Sequence, residues 1–319
     1  MTTDADTVPM MVRQMRVESS GVVSLRLERQ DGGTVDRWTP GAHLDLHLNR
    51  GTIRQYSLCG DPDDKTGYRV AILHEVSGRG GSRHVHETLR PGDSLSVSAP
   101  RNNFELLPSP RYVFIAGGIG ITPILAMIGE AERMGAEWEL HYGGRARSSM
   151  AFLDELSPYG DRVHVVTEEA DGILDLDGIL GTARAETLVY ACGPEGLLGA
   201  VEGYAGSWPD GAIRLERFKA KEIPADTLAG DRPVRVICER SGISATVAPD
   251  RTILETLEES GVDVPNSCRE GICGTCETRV LAGTPDHRDS LLSSSEQESG
   301  TTIMICVSRA RSDELVLDL

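Results

Sequence analysis

Four cysteines near the C-terminus constrain this chain more than any other feature. Cys268, Cys273 and Cys276 spell C-x4-C-x2-C within Asn266-Ser-Cys-Arg-Glu-Gly-Ile-Cys-Gly-Thr-Cys, and Cys306 follows far downstream. That spacing suits a plant-type [2Fe–2S] cluster, in which four thiolates hold two irons. Three sulfurs must turn toward one point from an irregular loop, and Gly271 and Gly274 supply the backbone freedom for it. Cysteine fills 7 of 319 positions, so two more at fixed offsets arise by chance with a probability on the order of 0.0005. Structural zinc is the serious rival, but it shows paired knuckles of similar spacing on both sides. Here one knuckle stands with a lone fourth ligand, which favours iron–sulfur. A cluster carries single electrons, so the rest of the chain must account for their source.

A length of 319 residues predicts two or three domains. No apolar run approaches the ~20 residues that span a bilayer. The N-terminus, Met1-Thr-Thr-Asp-Ala-Asp, lacks a secretory pattern. An odd number of cysteines in an unsecreted chain favours reduced thiols and a cytoplasmic address. The net charge of −17 argues against nucleic acid as a partner. From Asp231 to Leu319 there are 16 acidic and 9 basic residues, a balance of −7. Such a surface confers solubility, and it also fits docking of a basic redox partner near Glu270 and Glu277.

The hydrophobic pattern changes twice along the chain. Residues 1–106 read as short alternating strands, such as Val22-Val-Ser-Leu-Arg-Leu and Tyr68-Arg-Val-Ala-Ile-Leu, separated by turns. That is the pattern of an antiparallel β-barrel or sandwich. Over 107–220 continuous apolar runs (Tyr112-Val-Phe-Ile-Ala, Thr187-Leu-Val-Tyr-Ala) alternate with helical stretches. These predict an α/β domain with a parallel sheet. Residues 221–231 read as a linker. In 232–319 a hairpin, a short helix over 253–260 ending at Gly261, and the cysteine loop predict a small sheet over one helix.

Four further motifs carry chemistry. In Arg54-Gln-Tyr-Ser-Leu58, Arg54 and Tyr56 lie two apart on a strand and share a face, bringing a cation and a flat ring together. An ordinary edge strand is the alternative. Gly78-Arg-Gly-Gly-Ser82 enters a helix and offers N–H groups to an anion, or is a simple turn. Gly117-Gly-Ile-Gly-Ile-Thr-Pro123 sits between a buried strand and a helix, where glycines allow close approach to a pyrophosphate. It is not the usual G-x-G-x-x-G fingerprint. Ala191-Cys-Gly-Pro-Glu-Gly196 is another strand end entering a helix, with Cys192 either functional or buried filler.

In this order, the five motifs resemble the phthalate dioxygenase reductase family, with the vanillate demethylase reductases as near relatives, over nearly the whole chain. The resemblance implies a flavin-binding β-barrel, an NAD(P)H-binding α/β domain and a β-grasp ferredoxin domain. A C-terminal ferredoxin further implies FMN in place of FAD. By motif, Arg54, Tyr56 and Ser57 would contact the flavin, with Ser57 near its reactive nitrogen. Gly80, Gly81 and Ser82 would cradle the FMN phosphate, and Gly118 and Thr122 would meet the nicotinamide nucleotide. Cys192, Gly193 and Pro194 would lie beside the nicotinamide ring, and Phe218 against the flavin. Arg145 and Arg147, in the loop after Trp138-Glu-Leu-His-Tyr142, leave NADPH open, but the resemblance points to NADH.

The implied activity is an NADH-dependent reductase feeding a terminal oxygenase, with a Rieske-type partner preferred. A haem-thiolate monooxygenase is the alternative acceptor. A redox-sensing protein without enzymatic activity is a more distant reading, and it leaves the nucleotide loop and Cys192-Gly-Pro unexplained.

Overall fold

In a computed structural model of the chain, described over residues 7–48, 52–221, 223 and 230–319, the three sequence patterns become three principal sheets. The alternating segments form β1 (Thr7–Ser19), β2 (Val22–Arg29), β3 (His43–His47), β4 (Ile53–Ser57), β5 (Tyr68–Leu73) and β6 (Ser94–Ser98), with helix α1 (Gly81–Glu87) between the last two. They pair antiparallel in the order β4-β3-β6-β1-β2-β5. Just past β4, Leu58 bridges Val70 of β5, and the Cys59 N–H donates to the Arg69 carbonyl at 2.9 Å. The two edges thus meet and the sheet closes into a barrel, leaving no open edge to aggregate. Every second residue, including Val12, Leu25, Leu27, Leu44 and Ile72, points into the barrel core.

The second sheet contains β7 (Arg111–Gly117), β8 (Glu137–Gly144), β9 (Val163–Thr167), β10 (Thr187–Cys192) and β11 (Ile213–Glu216). All pair parallel, in the order β11-β10-β7-β8-β9. Helices α2 (Ile121–Met134), α3 (Leu153–Leu156), α4 (Leu176–Leu180) and α5 (Glu195–Glu202) connect them. Tyr112 to Ala116 of β7 are all fully buried. Tyr112, Phe114 and Ala116 face Ile124, Met127 and Ile128 of α2, while Val113 and Ile115 face Leu198 and Val201 of α5. Helix α2 stops at Gly135, whose φ of 67° suits glycine. Strand order reverses between β7 and β10, and ligand crevices of α/β sheets open at such a point.

Barrel and α/β layer share one core, in which Val22, Cys59, Ala71 and Phe104 pack with Phe114 and Met127. Arg69 of the barrel also pairs with Glu155 at 2.9 Å. Described residues up to Glu216 therefore make one compact unit, and residues from Arg217 onward make a second. Much of the expected linker, residues 222 and 224–229, lies outside the described residues.

The second unit holds β12 (Val234–Cys238), β13 (Ile243–Val247), α6 (Ile253–Glu259), β14 (Glu277–Ala282), β15 (Pro285–Asp286), α7 (Ser294–Ser299), β16 (Thr302–Met304), β17 (Arg309–Ala310) and β18 (Glu314–Leu317). Its mixed sheet runs β13-β12-β18-β14-β16, with first and last strands, β12 and β18, paired parallel. Ile253, Leu254 and Leu257 of α6 bury against this sheet. Thr252 and Glu255 cap the helix reciprocally. Among the described residues, no helix is long and apolar enough to cross a membrane.

Candidate functional site

Three strand ends bring one cluster together in the first unit. Ser57 ends β4 of the barrel, Cys192 ends β10, and Glu216 ends β11 beside it, in register with Cys192. The Ser57 hydroxyl donates to Glu216 Oε2 at 3.5 Å, and the Cys192 thiol donates to the same oxygen at 3.9 Å. Ser57 and Cys192 are buried. Glu216 keeps some exposed surface along its strand, yet its carboxyl group is enclosed. Burial pushes that carboxyl up to about 8, against the opposing hydrogen bonds from Ser57 and Cys192. Burial, with Glu216 beside it, likewise holds the Cys192 thiol well above its ordinary value. Ser57 and Cys192 were both expected from sequence. Glu216 was not, and its signal was a carboxylate at the C-terminal end of a parallel strand.

The two glycine turns pack back to back at the switch point. A Cβ on Gly120 would lie 2.2 Å from the Cys192 carbonyl oxygen, and one on Gly117 would lie 2.6 Å from Pro194 Cδ. Gly193 in turn faces Gly117 Cα at 3.0 Å from its own Cβ direction. These glycines allow the loops to touch each other. Gly118 differs: its φ is +53° and open space lies where a Cβ would be. Thr122 is buried, and its hydroxyl donates to the Ile119 carbonyl at 3.0 Å, which fixes the turn into α2. Pro194 caps the N-terminus of α5.

The R-x-Y-S strand and the G-x-G-G-S loop also meet. The Arg54 guanidinium donates to the Arg79 carbonyl at 3.3 Å. A Cβ on Gly81 would lie 2.7 Å from Arg54 Cγ. Gly80, at φ 88°, leads into α1, and no side chain caps that helix. The Ser82 hydroxyl accepts the Glu75 N–H at 3.0 Å. Arg54 therefore stands against a glycine turn and an uncapped helix start, which is the donor set a phosphate requires. Tyr56 packs on the barrel core, and burial pushes its phenol up to about 12.

In the second unit, Gly271 (φ 70°) and Gly274 (φ 74°) turn the cysteine loop. A Cβ on Gly271 would lie 2.5 Å from Val307 Cγ2, so this loop is held close to the Cys306 turn. Cys273, Cys276 and Cys306 are each 3% exposed, whereas Cys268 is half-buried. Cys268 lies within hydrogen-bond reach of Cys273 and Cys306, and Cys276 within reach of Cys306. The Glu270 N–H donates to Cys268 Sγ at 3.3 Å. Hydrogen bonds from Cys273 and Cys306, joined by the Ile272 and Glu270 N–H groups, pull the Cys268 thiol far down. Four thiols converging from one loop and the Cys306 turn are the donor set that a [2Fe–2S] cluster takes. Phe218, 36% exposed, belongs to this second unit.

Comparison with known proteins agrees with this arrangement. Residues 236–311 match the 2Fe-2S iron-sulfur cluster binding domain family. Phenoxybenzoate dioxygenase subunit beta of Ectopseudomonas oleovorans is 44% identical over 297 residues, covering 92% of this chain and 91% of its own length. The structure of phthalate dioxygenase reductase, described as a modular structure for electron transfer from pyridine nucleotides to [2Fe-2S], superposes with a TM-score of 0.73 at 34% identity and covers 99% of both chains. An intact type IV self-sufficient cytochrome P450 monooxygenase gives a TM-score of 0.92 at 40% identity, with 98% of this chain spanning 41% of that one. The barrel, the parallel sheet, the four-cysteine loop and this full-length similarity together show that the chain belongs to the phthalate dioxygenase reductase family of oxygenase reductases.

Proposed function

We propose that the chain takes hydride from NADH at the Ser57–Cys192–Glu216 cluster and delivers single electrons to a separate terminal oxygenase. The convergence of three strand ends from two sheets on one buried carboxyl carries this reading. Bound FMN supplies the conversion between a two-electron hydride donor and a one-electron [2Fe–2S] acceptor. In this proposal Ser57 donates a hydrogen bond to the flavin's reactive edge. Cys192, Gly193 and Pro194 form the wall against which the nicotinamide lies. Buried Cys192 stays a neutral thiol, so it shapes the pocket and excludes water without adding charge.

Arg54, Gly80, Gly81 and Ser82 hold the FMN phosphate, and Tyr56 lies along the flavin. Gly118 leaves room for the dinucleotide, and Thr122 fixes the turn that presents it. The resemblance alone carries the role of Phe218 as an aromatic against the flavin. Cys268, Cys273, Cys276 and Cys306 ligate the cluster. Flavin released by acid and separated by chromatography should be FMN; recovery of FAD would refute FMN as the cofactor.

The proposed partner is a Rieske-type oxygenase. A haem-thiolate monooxygenase is the second reading, favoured by the TM-score of 0.92 to the P450 chain. The acidic second unit, with exposed Glu277 beside Cys276, fits a basic docking face on either. Electron delivery to a purified Rieske oxygenase should be fast at low salt and slow as salt shortens the reach of charge to about 10 Å at 0.1 M. A flat salt response would refute electrostatic docking, and turnover only with a haem-thiolate enzyme would refute the Rieske assignment.

A further inference from the structure

The face of the parallel sheet opposite α2 carries a second donor set, on β8 and β9, strands that hold none of the cofactor residues named above. Trp138, Leu140 and Tyr142 of β8 point into the core beside α2, so Glu139 and His141 point to the other face. His164 of β9 is the register partner of His141. The two imidazoles stack with centroids 4.8 Å apart and planes 17° from parallel. His141 Nε2 lies 3.7 Å from Glu139 Oε2. One ligand atom from each of the three residues lies within 4.8 Å of both others. We propose that Glu139, His141 and His164 bind a divalent transition-metal ion of the zinc type on this face of the sheet.

Three observations support the site. His141 Nε2 is buried and makes no hydrogen bond of normal length, with Glu139 Oε2 facing it at 3.7 Å. The His141–His164 stack, at 4.8 Å between centroids, holds both imidazoles beside the Glu139 carboxylate. Two imidazoles and one carboxylate suit zinc, nickel or cobalt, whereas magnesium and calcium prefer oxygen cages. Arg184 is the competitor: its guanidinium pairs with Glu139 Oε1. Burial raises the Glu139 carboxyl, but the Arg184 hydrogen bond and charge outweigh it and hold the group below its ordinary value. A bound cation would replace the guanidinium as counter-charge, and coordination distances of about 2 Å require only that the side-chain ends close inward. The ion would tie β9, an edge strand, to β8 and keep positions open to water.

The test is equilibrium dialysis of the untagged holoprotein against zinc sulfate, with zinc and iron counted together so that cluster occupancy is known. The parent should take up one zinc per chain beyond its iron and melt at a higher temperature with zinc than without. His164 is exposed, so His164→Ala leaves the core untouched, and Glu139→Gln keeps side-chain shape. Each variant should lose zinc affinity by more than the ~10–100-fold seen on removing outer-shell partners, and should lose the melting shift. No zinc uptake by the parent, or uptake by folded His164→Ala at the parent's affinity, would overturn the site and leave the group a histidine stack beside an ion pair.

Discussion

Replacing Cys273 by Ala should give a protein whose flavin NADH still reduces but which delivers essentially no electrons to its oxygenase. Cys273 is buried in the second unit, whose core of Val236, Leu254, Ile303 and Leu315 is its own. Ser57, Cys192 and Glu216 lie in the first. Units with separate cores can lose one cofactor and keep the other. Alanine offers no ligand atom, so the three remaining thiolates cannot complete the cluster. Iron should fall from two per chain toward zero. Oxygenase reduction should drop far beyond the ~10–100-fold of an outer-shell change, while NADH reduction of the flavin stays within about twofold. Equal loss of both activities would show that the units do not act separately.

Glu216→Gln should remove a pH dependence centred near 8. The carboxyl ionises at 4.5 in an ordinary setting and at about 8 in the fold, chiefly because it is buried. The folded state holds its proton more tightly than the unfolded chain does. Its contribution to stability is therefore complete below pH 4.5 and is lost as pH rises through 8. Near pH 5 the variant and the parent should unfold at similar urea concentrations. At pH 9 the variant should be the more stable, by at least about 1.4 kcal/mol, the equivalent of a tenfold change in proton affinity. In the proposed hydride transfer, ionised Glu216 would place negative charge beside the ring that becomes positive as hydride leaves. The parent's flavin-reduction rate should thus rise through pH 8, and that of Glu216→Gln should stay level there. A rise at pH 8 that survives in the variant would assign it to another group.

What the sequence revealed depended on how local each constraint is. The cysteine loop was legible because its spacing and its two positive-φ glycines lie within one short segment. Helix α6 was legible because Gly261 marks its end. The closure of the barrel at Leu58–Val70 and the order of the parallel strands were less accessible, because both depend on pairing distant segments. Glu216 is the clearest case. Ile213-Arg-Leu-Glu marks it only as a carboxylate at a strand end, and it becomes distinctive only when the ends of β4 and β10 close over its carboxyl. Gly117 and Gly120 were read as making room for a pyrophosphate, yet their backbones press against Pro194 and Cys192, a contact between segments about 75 residues apart. The pairing of His141 with His164 likewise exists only through strand register.

Anaerobic mixing of the parent with NADH tests the central claim most directly. NADH is added to the holoprotein, and to holoprotein stripped of flavin, while the flavin and iron–sulfur absorbances are followed separately. The account predicts that the flavin band of the holoprotein bleaches first and the cluster band follows, and that the cluster of the flavin-free protein stays oxidised. Reduction of the cluster by NADH at the parent's rate without flavin would contradict it.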